Sequence, residues 1–196
     1  MASHDFEYLI ALGSNTGDRQ SFLNQAVELI QGRIGPVTAL SRIYETEPVG
    51  AADQMFLNAA IRVASNLPPD SVMASLLVIE ENLGRVRTTH WGNRTIDLDI
   101  LLVRTRNLRG QLVQAVVDTP ALTVPHPEML NRGFVLVPAA EVAGNWIHPK
   151  TNSTLAEDVA GRFNDLKPSQ CVWRSQRDVP HLPGQPTMEA PAPTFI

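Results

Sequence analysis

A single cysteine, Cys171, rules out an intrachain disulfide in this chain of 196 residues, and a reducing compartment is expected. Lysine is nearly absent as well: Lys150 and Lys167 stand against fourteen arginines. Acidic residues number 20 and basic ones 16, a formal net charge of −4, so nothing draws the whole chain to nucleic acid or to an anionic membrane surface. Any anion it binds must be held locally, by arginines with their fixed forks of donors. No apolar run approaches the roughly 20 residues that span a bilayer. The start, Met1-Ala2-Ser3-His4-Asp5-Phe6-Glu7, has neither the basic residues nor the apolar stretch of a secretory signal. A cytoplasmic protein with no nucleic-acid or membrane partner is the expectation. With 43% hydrophobic and 18% charged residues, the chain has ample material for a core, and its length favours one domain.

Residues 6–12 read as a short buried strand, stopped by the turn cluster Gly13-Ser14-Asn15-Thr16-Gly17-Asp18. Phe22, Ala26, Leu29 and Ile30 then fall on one helical stripe, and Asn15 is a candidate cap for that helix. Residues 37–44 suit a second strand. After a polar loop, residues 56–64 suit a third, with Phe56, Asn58, Ala60 and Arg62 on one face. Pro68-Pro69-Asp70-Ser71 starts a helix whose stripe is Val72, Leu76, Ile79 and Leu83, with Gly84 as its stop. A fourth strand follows at 95–102. The order is βαββαβ, which predicts an α+β fold: a ferredoxin-like antiparallel sheet with two helices on one face. Further along, residues 103–117 suit a hairpin turning near Asn107 and Gly110. The Pro-punctuated Thr123-Val124-Pro125-His126-Pro127 is excluded from a central strand. Short helices are expected around 128–131, 135–142 and 155–163. Six of the fifteen prolines lie in the last 29 residues, so the reading is a domain over 1–165 and a Pro-rich tail over 166–196, disordered unless it docks.

The chemistry concentrates in Trp91-Gly92-Asn93-Arg94-Thr95-Ile96-Asp97-Leu98-Asp99-Ile100. On a strand, Ile96, Leu98 and Ile100 share one face, and Asp97 and Asp99 share the other with Cα atoms about 6–7 Å apart. Two carboxylates that close repel unless a cation sits between them or one is protonated. Mg²⁺ is the economical answer, since it favours hard oxygen ligands and bridges to substrate phosphates, and Arg94 supplies a phosphate-clamping fork beside it. The alternative is a solvated strand face, which an Asp-x-Asp pair often is.

The segments Ala11-Leu12-Gly13-Ser14-Asn15, Tyr44-Glu45-Thr46, Phe56-Leu57-Asn58-Ala59, Glu80 with Gly84-Arg85 and Arg87, Trp91-Gly92-x-Arg94-x-x-Asp97-Leu98-Asp99, and Val124-Pro125-His126-Pro127 followed by Arg132-x-Phe134-Val135-Leu136 occur in that order. In content and order they resemble the 6-hydroxymethyl-7,8-dihydropterin pyrophosphokinase family of the folate pathway, over about residues 6–160. The resemblance implies transfer of the diphosphate of ATP to the hydroxymethyl group of the dihydropterin, giving AMP. It implies two Mg²⁺ ions on Asp97 and Asp99, with Arg85 and Arg94 as catalytic arginines. It places ATP near Glu80, Arg85, Arg87, Arg94, Ile100, His126 and Arg132. It places the pterin between Phe56 and Phe134, near Asn15, Thr46, Val49, Asn58, Trp91 and Asp97. Without the resemblance, Phe56 and Phe134 read as core, His126 as a surface histidine, and Arg85 and Arg87 as solvated charges after a helix C-terminus. Two rivals stand beside the enzyme: a pterin- or nucleotide-binding module without turnover, and a metal-dependent phosphohydrolase. A monomer or weak homo-oligomer is expected.

Overall fold

The central strands are buried over most of their length, and their alternate side chains meet different layers. The computed structural model describes residues 4–47, 54–85 and 93–162, together with the backbone of 172–173. In chain order these form β1 (Phe6–Ser14), α1 (Arg19–Arg33), β2 (Val37–Leu40), β3 (Tyr44–Thr46), β4 (Phe56–Ser65), α2 (Pro69–Asn82) and β5 (Asp97–Arg106). Then come β6 (Leu112–Ala115), β7 (Val117–Asp118), β8 (Thr123–Val124), a one-turn 3-10 helix (Met129–Asn131), α3 (Gly133–Ala143), α4 (Leu155–Arg162) and β9 (Val172–Trp173). The main sheet is antiparallel, in the order β6-β5-β1-β4-β3-β9, with β2 also on β4. Its centre is the predicted ferredoxin-like arrangement, with β1 between β5 and β4.

The predicted second strand is two strands. Between them, Ser41 turns its hydroxyl inward to accept the Ala60 N–H at 2.8 Å, and it donates to the Arg42 carbonyl at 2.8 Å. The hairpin is present: β5 turns through Asn107–Gly110 into β6, and Asn107 Oδ1 accepts from the N–H groups of Arg109 and Gln111. Among the described residues β7 and β8 pair only with each other, outside the main sheet.

Two layers of helix enclose the sheet. On one face α1 and α2 bury Leu23, Ala26, Ile30, Val72, Leu76 and Ile79 against Tyr8, Ile10, Leu12, Leu98 and Ile100. The α2 stripe is the predicted one. The α1 stripe is rotated: Leu23 and Val27 are buried, and Phe22 and Leu29 sit at its margin. Asp18, not Asn15, caps α1, accepting the Ser21 N–H at 3.0 Å. On the second face α3 and α4 bury Leu136, Ala139, Ala143 and Leu155 against Leu9, Ala60 and Leu101. The strict alternation of β5 slips at Leu101–Leu102, opposite a register shift in β1, so both residues join this second cluster. α3 begins at Gly133, which leaves the sheet end bearing Gly13, Asp97 and Asn58 outside its span.

Candidate active site

The polar end of the second face is assembled from three neighbouring strands in register. Gly13 of β1 pairs with Asp97 of β5 on one side and with Asn58 of β4 on the other, and Ala11 pairs with Asp99. Gly13 matters because it lacks a side chain. A Cβ there would stand 3.3 Å from Asn58 Oδ1 and 3.9 Å from both Asp97 Cβ and Phe56 Cδ1. The glycine therefore forms a floor between a carboxylate wall and an amide-and-ring wall. Sequence reading placed Gly13 in a turn cluster and in the motif at 11–15 without giving it a role, and the β1–β4 register is what reveals one.

On the carboxylate wall, Asp97 is held by two guanidinium groups. Arg85 Nη1 lies 2.7 Å from Oδ1, and Arg94 donates to Oδ2. Arg85 is anchored in turn by Glu80, a carboxylate only 2% exposed that also accepts the Leu98 N–H at 2.8 Å. Burial pushes the Glu80 carboxyl up, and the Leu98 N–H and Arg85 work against that shift. Glu80 is thus the one charged side chain on the inner part of α2, and its structural partners are Arg85 and β5.

Asp99 is differently placed. His126 Nε2 lies 4.0 Å from its Oδ2, and its side chain is 41% exposed. Surrounding protein and the neighbouring Asp97 charge push its carboxyl up, while His126, Arg85 and Arg132 draw it down. His126 is fixed by its backbone N–H on the Leu101 carbonyl (3.0 Å). Its Nδ1 accepts from the Glu128 N–H (3.2 Å), which leaves Nε2 to carry the proton toward Asp99. Among the described residues no group of three or more His, Cys, Asp or Glu side chains could enclose a metal. Two half-open carboxylates are what Mg²⁺ needs when substrate phosphates and water complete its shell. Asp97 and Asp99 fit that ion, provided an arginine yields an oxygen of Asp97.

The opposite wall holds Asn58, which donates to Thr46 Oγ1 at 2.8 Å, with both residues buried. Phe56, at the start of β4, is half-buried, and Phe134 sits in the first turn of α3 at the edge of the second cluster. Asn15 is fully buried. It accepts the Arg94 N–H at 2.6 Å and donates to Asn93 Oδ1 at 2.9 Å, so it positions the segment that carries Arg94. Ser14, unassigned from sequence, adds a hydroxyl bond to the Thr95 carbonyl at 2.6 Å. The Ile100 side chain is 2% exposed within the α1–α2 core, so only its backbone could meet a nucleotide. Val49, Arg87 and Trp91 lie outside the described residues.

Comparison with known proteins gives this site its context. Residues 9–144, well over half the chain, match the family model for 7,8-dihydro-6-hydroxymethylpterin-pyrophosphokinase. The chain belongs to that family. It is 47% identical over 135 residues to a 2-amino-4-hydroxy-6-hydroxymethyldihydropteridine pyrophosphokinase of Bacillus subtilis, covering 68% of this chain and 75% of that one. It is 41% identical over 145 residues to the enzyme of the same name from Porphyromonas gingivalis, covering 72% and 92%. Among solved structures it resembles an HPPK-DHPS in complex with substrates (TM-score 0.65, 12% identity) over 83% of this chain and 45% of that one. It also resembles wild-type Plasmodium falciparum HPPK-DHPS (TM-score 0.62, 14% identity) over 82% and 45%. At those identities the likeness concerns the fold, and the chain spans just under half the length of those longer proteins. Membership in the pyrophosphokinase family makes this an ATP-dependent diphosphotransferase of folate biosynthesis.

Proposed function

We propose that the polar end of the second sheet face carries out the transfer, with 6-hydroxymethyl-7,8-dihydropterin against the amide-and-ring wall and ATP against the carboxylate wall. The observation that carries this reading is the placement of Asp97 and Asp99 on one open face, with Arg85 and Arg94 already on Asp97. Asp97 and Asp99 would hold two Mg²⁺ ions. When bound, these would supply positive charge to the phosphate oxygens. The hydroxymethyl oxygen bonds to the β-phosphorus, its proton is lost, and the bond from that phosphorus to the AMP oxygen breaks. Such a reaction asks the protein for positioning and charge stabilisation rather than covalent chemistry. Arg85, held by Glu80, and Arg94, held through Asn15, are preorganised for the charge on the moving diphosphate and the departing AMP. His126 and Arg132 serve the phosphates from the Asp99 side, and by the resemblance Arg87 also binds ATP.

The pterin stacks between Phe56 and Phe134. By the resemblance its amide edge meets Asn58 and the backbone near Thr46 and Val49, and Asn15 and Trp91 belong to the same substrate set. Glu80 and the backbone of Ile100 border the nucleotide. The working unit is residues 1–165, to which β9 of the 166–196 tail adds a two-residue strand on β3. No helix among the described residues is long and apolar enough to cross a membrane. With a net charge of −4 as well, we infer a cytoplasmic monomer or weak homo-oligomer without a nucleic-acid partner.

Chromatography of nucleotides from reactions with ATP, Mg²⁺ and the reduced hydroxymethylpterin, each omitted in turn, tests the reading. AMP is expected one-for-one with diphosphorylated pterin, and only when pterin is present. ADP would make the protein a plain kinase, and pterin-independent phosphate release a hydrolase. Binding of both ligands without product would leave a binding module.

A further inference from the structure

Arg19 opens α1 in a place that helix energetics do not explain. The positive end of the helix dipole disfavours a cation there, and the acidic group beside it, Asp18, is committed to capping the Ser21 N–H. Such a break with a local rule points to a task outside the helix. The Arg19 guanidinium reaches across to the rim of the amide-and-ring wall: Nη1 donates to the Met55 carbonyl at 2.7 Å and lies 3.0 Å from Glu45 Oε1. Met55 immediately precedes Phe56, and Glu45 immediately precedes Thr46, the last ladder partner of Phe56. The preceding turn delivers the side chain. Gly17 has φ +68°, a left-handed conformation that favours glycine, and its carbonyl accepts the Arg19 N–H at 3.0 Å. Both partners of the ion pair are mostly shielded, at 23% and 19% side-chain exposure, so the bond is less diluted by solvent than a surface pair.

We propose that Arg19 is a positioning residue for the pterin. One guanidinium ties the end of β3 to the start of β4, which fixes Thr46, the Asn58 amide bonded to it, and the Phe56 ring. This rests on the reading that these three residues face the pterin. Nη1 alone serves the carbonyl and the carboxylate, and the planar guanidinium holds the two N–H groups of that nitrogen in fixed directions, which a freely rotating lysine ammonium does not.

The test uses the full chain with Arg19→Gln, Arg19→Lys, Glu45→Gln and the double variant Arg19→Gln/Glu45→Gln, with Phe56→Ala as a reference. Calorimetric titration of the dihydropterin, with Mg²⁺ and a non-hydrolysable ATP analogue present, is read beside kcat, both KM values and the melting temperature. Arg19→Gln is expected to raise the pterin Kd and KM about tenfold, the scale of a lost charge-assisted hydrogen bond. Its kcat and its KM for ATP stay within about twofold of wild type, the signature of lost ground-state positioning. Arg19→Lys recovers only part of the loss. The double variant is no worse than Arg19→Gln alone, because Glu45 acts through Arg19. An unchanged pterin Kd in Arg19→Gln overturns the proposal, as does a parallel rise of both KM values with a fall in melting temperature. If Phe56→Ala weakens pterin binding and the Arg19 variants do not, the staple alone fails. If Phe56→Ala also leaves the affinity unchanged, the pterin-face reading fails with it.

Discussion

On the α1–α2 side the sheet meets apolar helix faces from Leu12 at one end of β1 to Tyr8 near the other. On the second side α3 and α4 cover part of the sheet, and the part bearing Gly13, Asp97, Asp99 and Asn58 is polar, with the two aspartates partly exposed among the described residues. The same β1 and β5 strands serve both faces through period-two alternation. The first face can therefore be optimised for burial and the second for chemistry, with little overlap of residues. Glu80 is the exception: it sits in the sealed layer and works for the open one, reaching Arg85 and the edge of β5.

The largest expected effects separate the two carboxylates of the open face. Asp97→Asn and Asp99→Asn are each expected to lower turnover by about 10²–10³-fold or more, as removal of charge stabilisation at a phosphoryl centre does. Their stabilities are expected to diverge. Asp97→Asn removes the carboxylate that Arg85 and Arg94 share, with Arg85 keeping Glu80, and costs about 1 kcal/mol of unfolding free energy, modest because the pairs are partly solvated. Asp99→Asn relieves a carboxyl crowded by the surrounding protein and by the Asp97 charge, and leaves stability unchanged or slightly higher. Denaturant titration of the ligand-free variants checks this, and equal losses in both would erase the distinction.

Much of this contrast is legible in the sequence, because period and punctuation are local. Ile96, Leu98 and Ile100 against Asp97 and Asp99 set the two faces of β5, and Val72, Leu76, Ile79 and Leu83 set the inner stripe of α2. What was not legible depends on long-range pairing. Phe22 and Leu29 make as good an α1 stripe as Leu23 and Val27 until Asp18 is known to be the cap. Ser41 interrupts the second strand because of a bond to Ala60, nineteen residues away. Asn15 looks like a cap and is instead a buried pin for Arg94, seventy-nine residues away. Gly13 and Arg19 gain their roles only once β1, β3 and β4 are side by side.

A pair of substitutions two residues apart on α3 sharpens the comparison between the sealed and open parts of the second face. Leu136 is fully buried in the cluster beneath α3, and Leu136→Ala is expected to cost about 2–5 kcal/mol of stability. Pterin affinity of the folded protein should stay near wild type. Phe134 is half-buried at the margin, and Phe134→Ala is expected to weaken pterin binding by about 1–3 kcal/mol, the scale of one aromatic stack. Its stability loss should be smaller than that of Leu136→Ala, and binding of an ATP analogue should be nearly intact. Melting curves and calorimetric titrations on both variants decide. A Phe134 variant that loses both ligands and most of its stability would place that ring in the core.

The smallest expected effect belongs to the sealed end, at His148. The ring is 2% exposed, and its Nδ1 accepts the Lys150 N–H at 3.1 Å, which requires an unprotonated nitrogen. Burial holds its pKa below the ordinary value, against the pull of Asp158 and with smaller help from Lys150 and Arg162. The sign follows from linkage. Between the lowered folded pKa and the ordinary value near 6.5, the unfolded chain binds more protons than the folded one, so stability falls as pH falls through that window. A single group contributes a slope of at most about 1.4 kcal/mol per pH unit there. Denaturant midpoints from pH 7.5 down to about 5 should show this decline in the wild type. In His148→Asn it should be reduced, at the cost of a lower but flatter profile, and the pH dependence of pterin binding at the open end should be the same in both proteins. A shift in that binding profile would mean that the two ends of the second face are electrostatically coupled through α3.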